Sequence, residues 1–330
     1  MANYRVAVLR GGPSEEYDVS MQTGAAVISA LSGTRYTPID VIISRGGRWL
    51  IDGFEKQPTV ALEGIDVAFV ALHGAYGEDG KVQRLLERLS VPFTGSGSYA
   101  SSMALNKLLT KDFLRQHNIK MPRHMRVSKD SRDISRVVHT ISTLFGPEYV
   151  IKPVSSGSSL GVTVANGTTD LLKTLQKILS ERDEVMVEER ISGREATVGI
   201  VERFRDTKIY ALPPVEIIPP PEVTFFDYEN KYNGKSDEIC PSRFDRVTKK
   251  NLEEIASLVH SKMGLSQYSR SDFMIGNAPG EKSPSIYFLE VNTLPGLTSE
   301  SLLPKALSAV GYSYGDFVAH LLDDTRTQKR

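Results

Sequence analysis

The first hundred residues alternate short apolar runs with amphipathic segments. Apolar runs predict strands at 6–9, 37–43 and 67–72, and apolar positions spaced by three and four predict helices at 19–31 and 82–89. Strands interleaved with helices indicate a parallel sheet with helical crossovers.

The turn after the first strand resembles a dinucleotide-binding turn only at first sight. It contains Gly11-Gly12 but lacks the Gly-x-Gly-x-x-Gly spacing, and Glu15 and Glu16 stand where a pyrophosphate would lie. A dinucleotide site is therefore excluded.

The pattern changes beyond residue 104. Helices are predicted at 106–118, 133–144, 247–263 and around 317–322, two strands flank a Gly/Ser loop at 155–161, and a β-rich region begins near 192. The fold class is therefore α/β in the first part and α+β in the C-terminal half. Residues 219–244 are rich in Pro, Asp, Asn, Gly and Lys, and a long loop of that kind is usually functional or disordered.

Two predicted strands carry charge on an apolar background. Because side chains two apart share a face, we predict that Phe288, Glu290 and Asn292 point one way and Tyr287, Leu289 and Val291 the other. The strand at 269–275 presents Arg270 and Asp272 in the same way. Two carboxylates and an amide oxygen suit a hard cation such as Mg²⁺. The alternative is an ion pair at the end of a sheet.

Three loops carry candidate binding chemistry. Lys152 ends a strand and precedes the Ser/Gly loop, which suits a flap over nucleotide phosphates or else a plain hairpin. The hinge at 185–195 has backbone groups for an adenine edge and a carboxylate for a ribose, or only solvated acidic residues. His73 follows the 67–72 strand, at the edge where open α/β sheets bind ligands, although a lone histidine is more often structural.

Composition narrows the class of protein. The chain has 330 residues with 40 basic and 40 acidic side chains, so net charge gives no reason to expect nucleic acid or an anionic membrane as partner. Its one cysteine, Cys240, excludes an internal disulfide framework. No signal-peptide run or membrane-length apolar segment is evident, so we expect a soluble cytoplasmic protein.

In order, these elements resemble the ATP-grasp enzymes and, within them, the D-alanine–D-alanine ligase family. The resemblance spans residues 4 to about 322. The segments that carry it are 11–20, 73–80, 94–97 with Lys107, 152–159, 188–195, 225–232, 269–272 and 290–302.

The resemblance implies a fold and a set of roles. It implies an ATP-grasp fold with an N-terminal Rossmann-like domain (1–98), a small central domain (99–191) and a β-rich C-terminal domain (192–330) whose lid is 219–244. The residues implied to bind ATP are Lys107, Lys152, Ser159, Glu188, Glu189, Arg190, Ile191, Glu195, Phe225 and Lys231. Those implied to bind two Mg²⁺ ions, or Mn²⁺, are Asp272, Glu290 and Asn292. The implied substrate-binding and catalytic residues are Glu16, His73, Ser158, Tyr232, Arg270, Gly296, Ser301 and Leu302.

The implied activity is ATP-dependent joining of two D-alanine molecules through an acyl phosphate for peptidoglycan synthesis, by a homodimer. In that reading Glu16, Ser158 and Tyr232 latch the lid, and the neutral Tyr232 favours D-alanine over anionic D-lactate as second substrate. The alternatives are a D-alanine–D-serine or D-alanine–D-lactate ligase, another ATP-grasp ligase, or a protein that binds ATP without ligating.

Overall fold

Three β-sheets organise the part of the chain that the computed structural model describes, residues 3–157, 161–220, 236–280 and 283–327. The first sheet has the order β4-β3-β2-β1-β5. Its strands are β1 (Tyr4–Gly11), β2 (Tyr36–Ile43), β3 (Trp49–Ile51), β4 (Phe54–Lys56) and β5 (Val67–Val70). Its helices are α1 (Tyr17–Ala30), α2 (Pro58–Ala61) and α3 (Lys81–Arg88).

Strand β1 is parallel to both β2 and β5, which confirms the predicted parallel sheet. Its residues from Val6 to Leu9 are fully buried, as expected for a strand covered on both faces. The sequence analysis missed the β3–β4 hairpin, which adds an antiparallel edge beside β2.

The second sheet is antiparallel, in the order β6-β9-β7-β8. Its strands are β6 (His124–Ser128), β7 (Glu148–Pro153), β8 (Thr163–Asn166) and β9 (Glu184–Glu189). The helices before and beside it are α4 (Ser98–Leu105), α5 (Lys107–Arg115), α6 (Ile134–Leu144) and α7 (Gly167–Glu181). One stripe of α7, with Leu171 and Leu175, packs with Ile141 of α6 into the core of this sheet.

The third sheet has the order β13-β12-β10-β14-β15, with β11 paired to β10. Its strands are β10 (Ser192–Phe204), β11 (Thr207–Ala211), β12 (Val215–Ile218), β13 (Asp237–Ile239), β14 (Tyr268–Asn277) and β15 (Ser285–Asn292). The helices are α8 (Arg246–Lys262), α9 (Leu302–Ala309) and α10 (Tyr314–Thr327).

A β-bulge in β15 corrects the predicted alternation. Asp272 pairs with Glu290, but its neighbour Phe273 pairs with Phe288, so Leu289 is the extra residue. Phe288 therefore lies on the face opposite Glu290, in a core with Phe273, and the prediction that they share a face is wrong. Tyr287 lies on the Glu290 face instead. The bulge lets one strand present apolar residues to the core and polar ones to the site.

The first sheet and the C-terminal helices share one core. Phe317 and Leu321 of α10 belong to the same buried cluster as Val6. Gln267 adds a polar link, because its Oε1 accepts from the Gly95 N–H at 2.7 Å and its Nε2 donates to the Leu321 carbonyl at 3.0 Å. These contacts fix the third sheet against the first. Among the described residues, no helix is both long and apolar enough to cross a membrane.

Candidate functional site

The polar face of β14 and β15 gathers three of the predicted residues around a fourth, Asp272. Arg270 donates two hydrogen bonds to Asp272, Nε to Oδ1 at 2.8 Å and Nη2 to Oδ2 at 2.9 Å. Asn292 Nδ2 donates to Oδ2 at 3.1 Å, and the Thr197 hydroxyl on β10 donates to Oδ1 at 2.7 Å. Asp272 is cross-strand partner to Glu290. Asp272 is thus held by three donors beside a second carboxylate.

The oxygen atoms of Asp272, Glu290 and Asn292 fit a hard divalent cation. Asp272 and Glu290 contribute carboxylate oxygens and Asn292 an amide oxygen, which are ligand types that Mg²⁺ accepts. Over the described ranges, no three histidine, cysteine or carboxylate side chains gather into a metal cluster. A cation here would therefore draw on the two carboxylates, the amide, water and the oxygens of a ligand.

Lys107 approaches the same face from the start of α5. Asn106 caps this helix, with its side-chain oxygen accepting from the Leu109 N–H at 3.0 Å. Lys107 Nζ lies 3.0 Å from Glu290 Oε2 and donates to the Ser156 carbonyl at 2.5 Å. The capped helix end thus places one ammonium between the polar face of β15 and the Ser/Gly loop.

Lys152 lies at the end of β7. Its Nζ is 2.5 Å from Glu188 Oε2, and the other oxygen of Glu188 is 2.5 Å from Lys111 Nζ. The sequence analysis missed Lys111, although it stands one helical turn after Lys107 and so lies on the same face of α5.

The hinge at 188–191 uses most of its side chains internally. Arg123 binds the Glu189 carboxylate, with Nε 2.7 Å and Nη2 2.6 Å from Oε2. Arg190 lies 3.4 Å from Glu148, and Ile191 is buried against Tyr287. Two backbone groups of the hinge are paired as well, since the Glu189 N–H donates to the Arg123 carbonyl at 3.0 Å and the Arg190 N–H to the Glu148 carbonyl at 3.1 Å.

Glu195 lies further along β10, opposite Ile217 and Met274 on its two neighbouring strands. Its charge acts on Lys152.

Glu16 lies between two glycines of different loops. A Cβ atom on Gly74 would stand 2.5 Å from Glu16 Oε2, and one on Gly157 would stand 3.0 Å from it. Gly74 also adopts a positive φ of +68°, which a side chain would disfavour. Only glycine fits at Gly74. The close approach to Gly157 shows that Glu16, which follows the first strand of the first sheet, reaches the Ser/Gly loop.

Glu78 shares this pocket. Its Oε1 accepts from the Gly74 N–H at 2.9 Å, and burial together with the charge of Glu16 raises its pKa to about 8. Arg270 and Lys107 lower that pKa, so the pocket of Glu16 and Glu78 lies within electrostatic reach of the polar face of β14. Glu78 lies within segment 73–80, which carries the family resemblance, but the resemblance implied no role for it.

Both ring nitrogens of His73 are occupied. Nδ1 donates to the Leu294 carbonyl at 2.9 Å, and Nε2 accepts from the Thr23 hydroxyl at 2.8 Å. Burial lowers the pKa of His73, which favours the neutral ring that this pairing requires. His73 thus ties the first sheet to the loop that leads to Gly296, and it does so with no nitrogen left for a substrate.

Ser301 and Leu302 stand at the start of α9, where backbone N–H groups favour a carboxylate. The Ser301 hydroxyl bonds within its own turn, 2.9 Å from the Thr298 hydroxyl and 3.1 Å from the Thr298 nitrogen. Gly296 packs against it, since an added Cβ would stand 2.7 Å from Ser301 Oγ. The loop and the helix start therefore form one unit.

The remaining predicted residues lie outside the described part of the chain. They are Ser158, Ser159, Phe225, Lys231, Tyr232 and most of the predicted lid.

Comparison with known proteins gives matches along nearly the whole chain. A family model described as D-ala D-ala ligase C-terminus matches residues 113–323, and one described as D-ala D-ala ligase N-terminus matches 5–63 and 52–96. A D-alanine–D-alanine ligase of Geobacter sulfurreducens is 36% identical over 320 residues, covering 96% of this chain and 93% of that protein. The one from Syntrophotalea carbinolica is 35% identical over 328 residues, covering 98% and 97%.

Solved structures agree. D-alanyl-alanine synthetase A of Vibrio cholerae superposes with a TM-score of 0.85 at 23% identity, covering 99% of this chain and all of that one, a likeness of fold. VanG D-Ala:D-Ser ligase of Enterococcus faecalis superposes with a TM-score of 0.83 at 27% identity, covering 98% and 99%. The expected ATP-grasp fold is thereby confirmed.

Proposed function

The chain belongs to the D-alanine–D-alanine ligase family, and on that premise we propose that it joins two D-alanine molecules into D-alanyl-D-alanine while converting ATP to ADP and phosphate. The dipeptide serves peptidoglycan precursor synthesis. The observation that best supports this is the cluster around Asp272, where an arginine, two carboxylates and an amide lie beside Lys107.

The chemistry explains why such a cluster is needed. A carboxylate does not react with an amine, so one of its oxygens must first take the γ-phosphoryl group of ATP to form an acyl phosphate. Lys107 and Lys152 would neutralise phosphate charge during this transfer. The amine of the second D-alanine then attacks the acyl carbon and phosphate leaves.

Residues from several parts of the fold would orient the two substrates. Glu16 would hold the ammonium of the first D-alanine, and Ser301 with Leu302 would hold the carboxylate of the second at the start of α9. Arg270 and the backbone around Gly296 would face the oxyanion that develops during attack. Asp272 would keep the Arg270 guanidinium in a fixed plane through its two hydrogen bonds. His73 would lie beside the first D-alanine and hold the Leu294 loop.

We propose Asp272, Glu290 and Asn292 as the residues that hold Mg²⁺, with Mn²⁺ as a substitute. The ion would neutralise the negative charge of the transferred phosphoryl group. Adenine would lie at the 188–191 hinge and the ribose at Glu195.

Other parts of the proposal rest on the family resemblance. Three domains (1–98, 99–191 and 192–330) would close around the substrates, with the lid at 219–244 excluding water from the acyl phosphate. Ser159, Phe225 and Lys231 would complete the nucleotide site, while Ser158 and Tyr232 would latch the lid. A homodimer would form through the first domain, in the cytoplasm where ATP is available.

Phosphate release tests the activity directly. The purified chain is given ATP and Mg²⁺ with D-alanine alone, then D-alanine with D-serine or D-lactate, and the products are identified by mass spectrometry. We expect D-alanyl-D-alanine as the main product at pH 7.5. The likeness to VanG makes D-serine the next candidate, and a mixed product in competition would assign the chain to that activity instead. No phosphate release with any pair would refute a ligase.

Glu290→Gln tests the metal assignment. We expect ATP turnover to be lost and Mn²⁺ binding, followed by electron paramagnetic resonance in the presence of ADP, to weaken, while the unfolding midpoint stays near that of the parent. The matched control is Glu63→Gln, because Glu63 is an exposed glutamate that lies between α2 and β5. Parent-like Mn²⁺ binding by Glu290→Gln would remove Glu290 from the metal site.

A further inference from the structure

Lys111 is a fully buried cation that the proposed reaction does not yet use. Its side chain is 0% exposed, and its ammonium lies 2.5 Å from Glu188 Oε1. Lysine is almost never fully buried unless it is paired. We propose that Lys111 is a positioning residue of the nucleotide site: it holds Glu188, and Glu188 in turn positions Lys152 towards the phosphates.

The three side chains form a line from the interior to the cleft. Exposure rises from 0% at Lys111 to 2% at Glu188 and 11% at Lys152. Each oxygen of Glu188 binds one ammonium at 2.5 Å, so the carboxylate is held from both sides. Lys111 comes from helix α5, whereas Glu188 and Lys152 come from the adjacent strands β9 and β7. Lys111 cannot reach a ligand itself and acts through Glu188.

The charges give the arrangement its consequence. Burial alone would raise the pKa of Glu188, but the two lysines lower it to about 2, so it is a carboxylate at neutral pH. Within this trio, two ammonium groups share one carboxylate, and the more exposed of the two, Lys152, lies at the cleft, where the charges of Glu290 and Glu195 also act on it. Without the charge of Lys111, Glu188 would be compensated by Lys152 alone. The net positive charge that the trio presents to a phosphate would then fall by one.

A structural role makes a different prediction. If Lys111 only fastens α5 to the second sheet, its loss should lower stability and affect all nucleosides alike. If it positions Lys152, its loss should weaken binding of ligands that carry phosphate and spare adenosine, which carries none. ADP and adenosine therefore separate the two roles.

The experiment measures binding of ADP with Mg²⁺, and of adenosine, by isothermal titration calorimetry. Lys111→Met keeps the length and apolar stem of the side chain but removes the charge. We expect it to weaken ADP about tenfold and to leave adenosine unchanged. Lys111→Arg, which keeps the charge, should restore ADP binding to near the parent. Lys250→Met is the control, since it removes a lysine from an exposed ion pair with Glu254.

A double variant keeps the test decisive if Lys111→Met does not fold. Lys111→Met with Glu188→Gln removes both buried charges, so no carboxylate is left uncompensated, but Lys152 loses the group that positions it. This double variant should bind adenosine like the parent and ADP about tenfold more weakly. Parent-like ADP binding by the double variant or by Lys111→Met alone would overturn the proposal. The same loss for adenosine and ADP would mean a structural role only.

This inference rests on the proposed function, because it requires a nucleotide at Lys152. The two can fail separately. If the parent does not bind ADP, the proposed function fails. If the parent binds ADP and the Lys111 variants bind it equally well, only the role of Lys111 is refuted.

Discussion

Glu78 gives a direct test of the electrostatics in the pocket that it shares with Glu16. Its side chain is 6% exposed, and burial with the charge of Glu16 raises its pKa to about 8. Glu78→Gln keeps an oxygen that can accept from the Gly74 N–H but cannot ionise. We predict that this substitution removes a pH dependence from the free energy of unfolding.

The sign and size follow from the two pKa values of Glu78. The folded chain keeps a proton on Glu78 up to about pH 8, whereas the unfolded chain releases it near 4.5. The stability that this proton contributes is fully present below about pH 4.5 and is lost as the pH rises through 8. Each pH unit inside that window removes up to about 1.4 kcal/mol. Relative to the variant, the parent should therefore lose about 2.5 kcal/mol between pH 6 and pH 8.5.

Urea unfolding at several pH values measures this difference. Trp49 is the one tryptophan of the chain, and it is buried in the first sheet with its Nε1 donating to the Tyr76 hydroxyl at 3.3 Å, so its fluorescence reports unfolding of this part. Glu63→Gln, at an exposed glutamate, is the control and should follow the parent. Parallel pH curves for the parent and Glu78→Gln would refute the raised pKa.

Three further predictions concern other contacts. His73→Asn keeps a donor near the Leu294 carbonyl, whereas His73→Leu leaves that carbonyl unpaired, which costs about 1–3 kcal/mol of unfolding free energy. The asparagine variant should therefore be more stable to urea, and equal stability would contradict the assigned hydrogen bond. Phe288→Ala should cost about 3–5 kcal/mol of unfolding free energy and leave Mn²⁺ binding intact, whereas a loss of Mn²⁺ binding would return Phe288 to the metal face. Asn106→Ala should cost about 1 kcal/mol through the lost cap and Asn106→Asp almost nothing, and destabilisation by both would rule out a cap.

Local pattern was sufficient for the parts of the fold in which side-chain periodicity matches burial. The strand at 67–72 could be predicted because all its residues are apolar, and the helix at 247–263 because Leu252 and Val259 recur on one face. The same rule would have found α7, where Leu171 and Leu175 are four residues apart. The β3–β4 hairpin escaped because its strands have only three residues each, too few for a period to appear.

The bulge in β15 shows where periodicity fails. Nothing in the sequence around Leu289 marks it as an extra residue, since the bulge depends on how β14 pairs with β15 across the hairpin. Extrapolating the alternation from Glu290 back to Phe288 therefore assigned an aromatic ring to a polar face. The polar residues themselves were identified correctly as neighbours, because Arg270 with Asp272 and Glu290 with Asn292 each lie two apart beyond the bulge.

The partners of the site residues were the least predictable feature, for a reason that lies in the topology. Three buried charges are compensated by an element distant in sequence: Lys111 of α5 by Glu188 of β9, Lys107 by Glu290 of β15, and Glu189 by Arg123, which is 66 residues away. A motif specifies which residue types are present, but the neutralising partner depends on which strands become adjacent. Because an uncompensated buried charge is costly, these pairings constrain the fold as strongly as the apolar core does. Residues such as Lys111 therefore become recognisable only once the three sheets are assembled.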